Sequence, residues 1–266
     1  MDNVEYFDWN LSALNPVSYL LRSHPQGRCS RQPDMHSALH LGFVVSGGQQ
    51  GIFAGESVDA DAGSFYLTAP WEPHYTVRIR ASHQLLLLNI DWESLQNAFF
   101  TGRDRLELLM LMPPQERMDF LNRQLHATAS GEELFKIVTQ QKDSDEKKLL
   151  LWNLILKIFI TILPPADQKV TSSGNYQRLL PALKHLSGKL TTTASAAACC
   201  NLSSNYFAQM FKKQFGLSFG RYERNFRLNG AAGAVQQGAS LKEAADAWGF
   251  CDKSHLARLL KKRTGG

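Results

Sequence analysis

The apolar positions change period twice along the chain. Between residues 39 and 90 they come as short runs, at 41–46, 65–68, 77–79 and 85–90, separated by glycine-rich or proline-containing segments. Short runs at that spacing predict an all-β sandwich or barrel. From residue 91 the pattern becomes helical, with predicted helices over 106–112, 117–125, 134–141 and 146–163, broken at Pro113-Pro114 and at Ser130-Gly131. The last of these is apolar almost all round (Leu149, Leu150, Leu151, Trp152, Leu154, Ile155, Leu156, Ile158, Phe159, Ile160, Ile162, Leu163), which predicts burial by its own domain or by a second subunit; dimerisation is the preferred reading. Residues 164–175 are poor in apolar side chains and rich in turn formers, as a linker is. Beyond them every periodic segment is helical.

That last part repeats itself. Residues 205–216 align with residues 254–265, 49 positions later, with Ala208/Ala257, Lys212-Lys213/Lys261-Lys262 and Gly216/Gly265 identical and the apolar positions matching in kind. Two copies are too few for a stacked solenoid and suit two copies of a small binding unit. Each copy follows a short helix and a tight turn. In the second, Ser240 and Glu243 form a capping box, Gly249 ends the helix and Asp252 can cap the next one. In the first, Thr192 opens a helix, Asn201 stands where the other copy has Gly249, and Ser203 caps the following helix. Asparagine tolerates positive φ better than other side chains, so the turn survives the exchange. Small residues at equivalent places, Ala197 and Ala245, let the paired helices cross closely. The expected motif is a helix-turn-helix over 192–215 and again over 240–263.

Charge sharpens this picture. The chain's 266 residues carry a net +5, but residues 170–266 hold 14 Lys+Arg against 4 Asp+Glu, leaving 15 against 20 for residues 1–169. A net +10 half joined to a net −5 half points to an anionic partner for the second. In a helix-turn-helix the second helix enters the major groove of DNA. With Phe207, Met210 and Phe211 turned inward, Ser204, Asn205, Ala208, Gln209 and Lys212 fall on or near the outer face of the first copy; Lys253, Ser254, His255, Ala257, Arg258 and Lys261 do so in the second. Asn and Gln can pair bidentately with adenine and Arg or Lys with guanine, while serine and lysine suit phosphate. Tyr206 and His255 divide evenly between packing and phosphate contact.

These residues resemble the AraC/XylS family of bacterial transcription regulators over residues 176–265. The resemblance rests on Ser240, Gly249-Phe250, Asp252, Ser254-His255-Leu256, Arg258 and Lys261-Lys262, and on Leu202-Ser203, Phe211-Lys212-Lys213, Gly216-Leu217-Ser218-Phe219, Tyr222 and Arg227-Leu228. It implies two helix-turn-helix units joined by a linking helix, here over 219–235, that set two recognition helices into successive major-groove segments about 34 Å apart. Gly230 and Gly233 inside that helix each cost about 1 kcal/mol relative to alanine, so a frayed or bent linker is expected. Leu260 replaces the aromatic that the family usually places before Lys-Lys, a modest core loss.

Sensor domains of the family are commonly cupin-like β-barrels followed by dimerising helices. The resemblance therefore implies an α+β chain: a cupin-like β-barrel over 1–90 that senses an effector, a helical dimerisation segment over 91–163, a linker over 164–175, and an all-α double helix-turn-helix domain over 176–266. Residues 36–47 and 63–74 look like the two halves of the barrel motif, with His40 where the family often has Glu. His36, His40, Trp71 and His74 are the candidate effector-binding residues. A metal site on His36, His40 and His74 is conceivable, since imidazoles ligate zinc, iron or nickel, but the family generally binds an organic effector, and no metal or other cofactor is expected.

The resulting expectation is a sequence-specific DNA-binding regulator, an activator by family habit, controlled by a small molecule. Its partners would be promoter duplex DNA, a second copy of the chain and, as a further candidate, RNA polymerase. Control by a protein partner instead of an effector is another reading. The rival from a different class is a metal-dependent cupin enzyme with a basic appendage; it rests on three histidines only, because no nucleophile–base pair, phosphate loop or paired carboxylates accompany them. Cys29, Cys199, Cys200 and Cys251 form no C-x-x-C pair, and residues 1–5 lead into no apolar run, so a cytoplasmic location without a membrane anchor is expected.

Overall fold

The computed structural model describes residues 11–29, 34–125, 127–165, 174–186 and 189–263. Most of the expected linker, the acidic N-terminal residues 1–5 and the Gly265 counterpart of Gly216 lie outside them.

The N-terminal part pairs its strands into two antiparallel sheets. The strands are β1 (Val17–His24), β2 (Gly27–Arg28), β3 (Leu39–Ser46), β4 (Gly48–Phe53), β5 (Glu56–Asp61), β6 (Phe65–Thr68), β7 (His74–Ile79) and β8 (His83–Ile90). One sheet has the order β1-β8-β3-β6 and the other β2-β7-β4-β5. In the first sheet Leu41, Phe43, Phe65, Leu67, Leu86, Leu88 and Ile90 belong to the large core shared with the helices that follow. The alternate residues Val44, Tyr66, Leu85 and Leu87 meet Phe53, Val58 and Ala60 of the second sheet. Strand alternation thus sends one set of side chains to the helices and the other into the space between the sheets. His40, opposite Thr68 and Asn89 in the register, belongs to the inward set.

Periodicity in the apolar runs located β3, β6, β7 and β8 but passed over β1, β2, β4 and β5. Strand β5, Glu-Ser-Val-Asp-Ala-Asp, is half exposed and alternates acid with apolar, while β4 carries glycines at both Gly48 and Gly51. The turn between them, Ala54-Gly55, has φ of 45° and 86°, a two-residue hairpin with both central residues left-handed.

Five helices follow: α1 (Trp92–Ala98), α2 (Arg103–Leu111), α3 (Pro114–Leu125), α4 (Ala127–Gln140) and α5 (Asp145–Ile162). The expected break at Ser130-Gly131 does not occur. Gly131 lies inside α4 because the helix runs hard against Phe43, whose ring atoms sit 2.1–2.3 Å from where a Cβ would be. Helix α5 buries Leu151, Leu154, Ile155, Ile158, Phe159 and Ile162 against its own domain. Leu149 and Ile160, 69% and 63% exposed, stand on the opposite side with the half-buried Trp152 and Leu156. Among the described residues no helix is long and apolar enough to cross a membrane.

The remaining helices are α6 (Gly174–Lys184), α7 (Thr193–Cys199), α8 (Ser204–Phe215), α9 (Phe219–Gln236), α10 (Leu241–Ala247) and α11 (Lys253–Arg263). Helix α9 runs unbroken through Gly230 and Gly233, contrary to the expected fraying. At Gly230 the reason is packing: a Cβ there would stand 2.0–2.2 Å from three ring atoms of Trp248. The two halves of the chain share a core, since Met35, ahead of β3, and Ala54, in the β4–β5 turn, are buried in one cluster with Leu179, Phe211, Phe215, Phe219 and Tyr222.

Candidate nucleic-acid interface and sensor site

The two helix-turn-helix units are built by matching local chemistry. Thr192 caps α7 through its side chain and Ser203 caps α8; Ser240 and Glu243 close a complete capping box on α10, and the Asp252 carboxylate accepts the His255 N–H at 2.7 Å. Those same backbone bonds hold the Glu243 and Asp252 carboxyls below the usual carboxylate range. Asn201 (φ 54°) and Gly249 (φ 65°) make the two turns. Ala197 and Ala245 are buried at the helix crossings.

On α8, Phe207, Met210 and Phe211 are buried, and Ser204, Asn205, Gln209 and Lys212 are exposed with Ala208 half-buried. Gln209 donates to Asn205 across one helical turn at 3.4 Å, so the two amides form one exposed polar patch. On α11, Leu256 is buried, Lys253, Ser254, Arg258 and Lys261 are exposed, and His255 is half-buried beside Phe250 at a 6.0 Å ring separation. Tyr206 is 47% exposed with the Arg178 guanidinium 5.5 Å from its ring centre. The helix faces therefore carry the expected residues outward.

One ion pair joins the two units, and the sequence pattern passed it over. Arg227 and Glu223, one turn apart on α9 and both buried, bond at 2.6 Å. Glu223 also accepts the Thr191 N–H at the start of the first unit, while Arg227 donates to the carbonyls of Trp248 and Gly249 in the turn of the second. Its guanidinium lies 4.9 Å from the Phe250 ring centre. A buried, charge-assisted clamp of this kind fixes geometry more than it adds net stability. Its three backbone partners lie 32, 21 and 22 positions away, beyond the reach of any local pattern.

The sensor candidates split. His36, His40 and His74 converge between the sheets, with ring centroids 4.0, 5.0 and 5.3 Å apart. Burial, reinforced by the neighbouring histidines, holds His36 and His40 well below the usual imidazole value; burial lowers His74 as well. The three are therefore neutral at pH 7. Tyr66, pushed up to about 12 by burial, stays a phenol on the same inner face, its ring lying over Gly42.

Trp71 does not join them. Its ring packs on Phe226 of α9 at 4.5 Å, its φ is +62°, and it borders a cavity of about 520 Å3 between the two halves of the chain. That cavity is lined by Trp71, Trp92 and Met110 on one side and Leu183, Tyr222 and Phe226 on the other, with Glu107 and Lys184 at its edge. Its size falls in the range of small-molecule sites. A left-handed tryptophan is strained. Here it is held by its own backbone: the Trp71 N–H donates to the His36 carbonyl at 2.7 Å, and the Trp71 carbonyl accepts the Tyr222 hydroxyl at 2.8 Å. Behind the loop, Glu72 is buried against Arg117 at 2.5 and 2.7 Å, and Arg117 also donates to the carbonyls of Leu67, Met110 and Met112.

Comparison with known proteins agrees with the geometry of the C-terminal part. Residues 196–266 match the family model described as a helix-turn-helix domain. This region is a helix-turn-helix domain of the AraC type. No curated protein matches the chain. Among solved structures, the chain is similar to ToxT from Vibrio cholerae, at 11% identity over 93% of this chain and 94% of that one with a TM-score of 0.42, and to an apo ToxT variant from the same organism, at 12% over 94% of each with a TM-score of 0.46. The chain is also similar to a cupin protein from Bacteroides fragilis, at 20% identity over 31% of this chain and 71% of that one with a TM-score of 0.27. The helix-turn-helix domain owns the exposed residues of α8 and α11, and the clamp between Glu223 and Arg227 belongs to its linking helix.

Proposed function

We propose that the chain is a sequence-specific DNA-binding transcription regulator in which α8 and α11 read DNA and the N-terminal half controls how they are presented. The carrying observation is the matched pair of capped, outward-facing helices bridged through α9 by Glu223 and Arg227. Base edges fall to Asn205, Gln209, Ser254 and Arg258, with Ser204, Ala208, Lys212, Lys253, His255 and Lys261 at the backbone and groove walls. Activation is the sense of regulation that the family resemblance favours.

The effector is a small, largely apolar molecule in the cavity between the halves, against Trp71, Tyr222 and Phe226, rather than at the three histidines. A ligand there touches α9 directly and can change its grip. The apolar stripe of α5, Leu149, Trp152, Leu156 and Ile160, supports a homodimer. Dimerisation would raise the effective concentration at paired half-sites.

Gel-shift titrations on the native promoter test the reading. Gln209→Ala and Arg258→Ala should each weaken specific binding by about 1–3 kcal/mol and relax base preference. Lys212→Ala and Lys261→Ala should weaken all sequences alike and reduce the salt slope by about one. Unchanged binding by both Gln209→Ala and Arg258→Ala would remove α8 and α11 as the reading helices.

A further inference from the structure

The outer face of the second sheet carries a charge pattern that folding alone does not call for. Strands β2, β7 and β4 set Arg28 opposite Arg78 and Arg78 opposite Gln50, one row of side chains across three strands. Their sequence neighbours Ile79 and Gln49 are buried, so by strand alternation this row faces outward. The Cys29 N–H donates to the Val77 carbonyl at 3.0 Å, which makes Cys29 and Val77 a hydrogen-bonded pair and Arg28 with Arg78 the closer, non-hydrogen-bonded one. Like charges directly opposite each other in this way destabilise a sheet. Arg80, just past the end of β7, is neutralised by Asp59 at 3.1 Å and Asp61 at 2.5 Å, both of β5. The side chains of Arg28 and Arg78 have no such carboxylate among the described residues. Gln50, the third member of the row, donates its amide to Ser57 at 3.3 Å and offers no charge. Both arginines line an open cavity of about 760 Å3, together with Gln26, Cys29, Gln50 and Val77. This cavity shares no lining residue with the one against α9, and its size is that of a small-molecule site.

We propose that Arg28 and Arg78 form a binding site for a small phosphorylated molecule, its phosphate monoester held by both guanidiniums and its organic part lying along Gln26, Gln50 and Val77. A phosphate monoester carries close to two negative charges at pH 7 and three strong acceptor oxygens. Two guanidinium forks match it in charge and in bidentate geometry, and its arrival turns the repulsion between them into shared attraction. The cavity exceeds what a bare phosphate fills, which leaves space for the rest of the molecule. Duplex DNA also presents phosphates, but the net −5 of residues 1–169 opposes a polyanion here and tolerates a small dianion. The site stands independently of the regulator reading.

The test is calorimetric titration of the full chain, in phosphate-free buffer, with inorganic phosphate, adenosine monophosphate and succinate. Adenosine monophosphate and inorganic phosphate should compete for one site with dissociation constants below about 1 mM, and succinate should bind more weakly than either. Arg28→Gln and, separately, Arg78→Gln should each weaken both phosphates about tenfold or more. Arg78→Lys, which keeps the charge and loses the fork, should fall between wild type and Arg78→Gln. Arg123→Gln, which removes an exposed charge from α3, should bind as wild type does. Thermal unfolding supplies a second readout. Without phosphate Arg78→Gln should melt no lower than wild type, since it relieves the repulsion, and saturating phosphate should raise the wild-type midpoint above that of the variant. Failure of both phosphates to bind below about 1 mM, or binding that survives both arginine variants because it belongs to the basic half, would overturn the site. Succinate binding as tightly as inorganic phosphate would overturn the phosphate assignment.

Discussion

Gly230 separates helix propensity from packing. In an isolated helix, replacing this interior glycine by alanine would stabilise by about 1 kcal/mol. In the folded chain the new methyl would stand 2.0, 2.2 and 2.2 Å from three atoms of the Trp248 ring. Contact carbons prefer about 3.5–4.0 Å, so the ring must retreat by roughly 1.5 Å. It has little room to do so, because Trp248 also packs on Phe226 at 5.9 Å and its carbonyl is held by Arg227. Overpacking of this kind costs about 1–3 kcal/mol, and a clash with a ring pinned on two sides belongs at the upper end. The net expectation for Gly230→Ala is a loss of about 1–2 kcal/mol, against the propensity scale. Gly220, in the first turn of the same helix with no atom near its missing Cβ, is the control, and Gly220→Ala should stabilise by up to about 1 kcal/mol. Urea unfolding followed by circular dichroism gives both numbers. A double-mutant cycle then locates the cause: with Trp248→Leu as background, Gly230→Ala should become neutral or stabilising, a coupling of about 2–3 kcal/mol. If Gly230→Ala is as stable as wild type, or Trp248→Leu leaves its cost unchanged, the packing account of this glycine is wrong.

Two further outcomes follow from buried charge. Arg117→Met leaves Glu72 buried without its partner and frees three carbonyls, and should lower stability by about 3–5 kcal/mol in thermal unfolding, far more than any exposed arginine substitution. His83, buried at the end of β8 and held below the usual imidazole value by burial and by His24, is neutral in the fold. The unfolded chain then binds more protons below about pH 6.5, so stability is full above that pH and falls as pH drops through the folded value. His83→Gln should flatten part of the decline in urea midpoint between about pH 7.5 and 5.5, and an unchanged slope would mean His83 does not contribute.

The sequence made some of this legible because the signals are local. Capping residues, the Asn201 and Gly249 turns and the alanines at helix crossings act within a few positions, and the duplication doubled each of them. Strand β5 escaped because a half-exposed edge strand carries little periodic apolar signal, and the interior strand β4 escaped because its buried positions are filled by Gly48, Gln49 and Gly51 as well as Phe53. The glycines misled for the opposite reason. Gly131 and Gly230 look like helix breakers on propensity, yet each makes room for one aromatic ring, Phe43 or Trp248, that sequence spacing could not place beside it. Trp71 was grouped with the histidines because it lies three positions from His74. Its left-handed backbone turns the ring to the far side of the loop, into contact with α9.

Helix α9 makes a regulatory coupling physically simple. Tyr222, Phe226 and Asn229 are spaced i, i+4, i+7 and share one face, which meets Trp71 and Met35 of the N-terminal half. Glu223, Arg227 and Gly230 repeat that spacing one residue on, on the adjacent face, and meet Thr191, the Trp248 and Gly249 carbonyls and the Trp248 ring. The element gripped by the N-terminal half is therefore the element that joins the two helix-turn-helix units. Because α9 is continuous through its glycines, a shift imposed on the first face moves the second with it instead of being absorbed by a hinge. Two recognition helices must match a groove spacing of about 34 Å, so a small rotation of this one helix is enough to favour or oppose simultaneous engagement. On that argument, weakening the grip with Tyr222→Phe, which removes one hydroxyl bond to Trp71 and little volume, should change promoter affinity while leaving binding to non-specific duplex DNA at the same salt unaltered. Equal changes in both would mean that the contact acts on the exposed charge of the domain and not on the spacing of its reading helices.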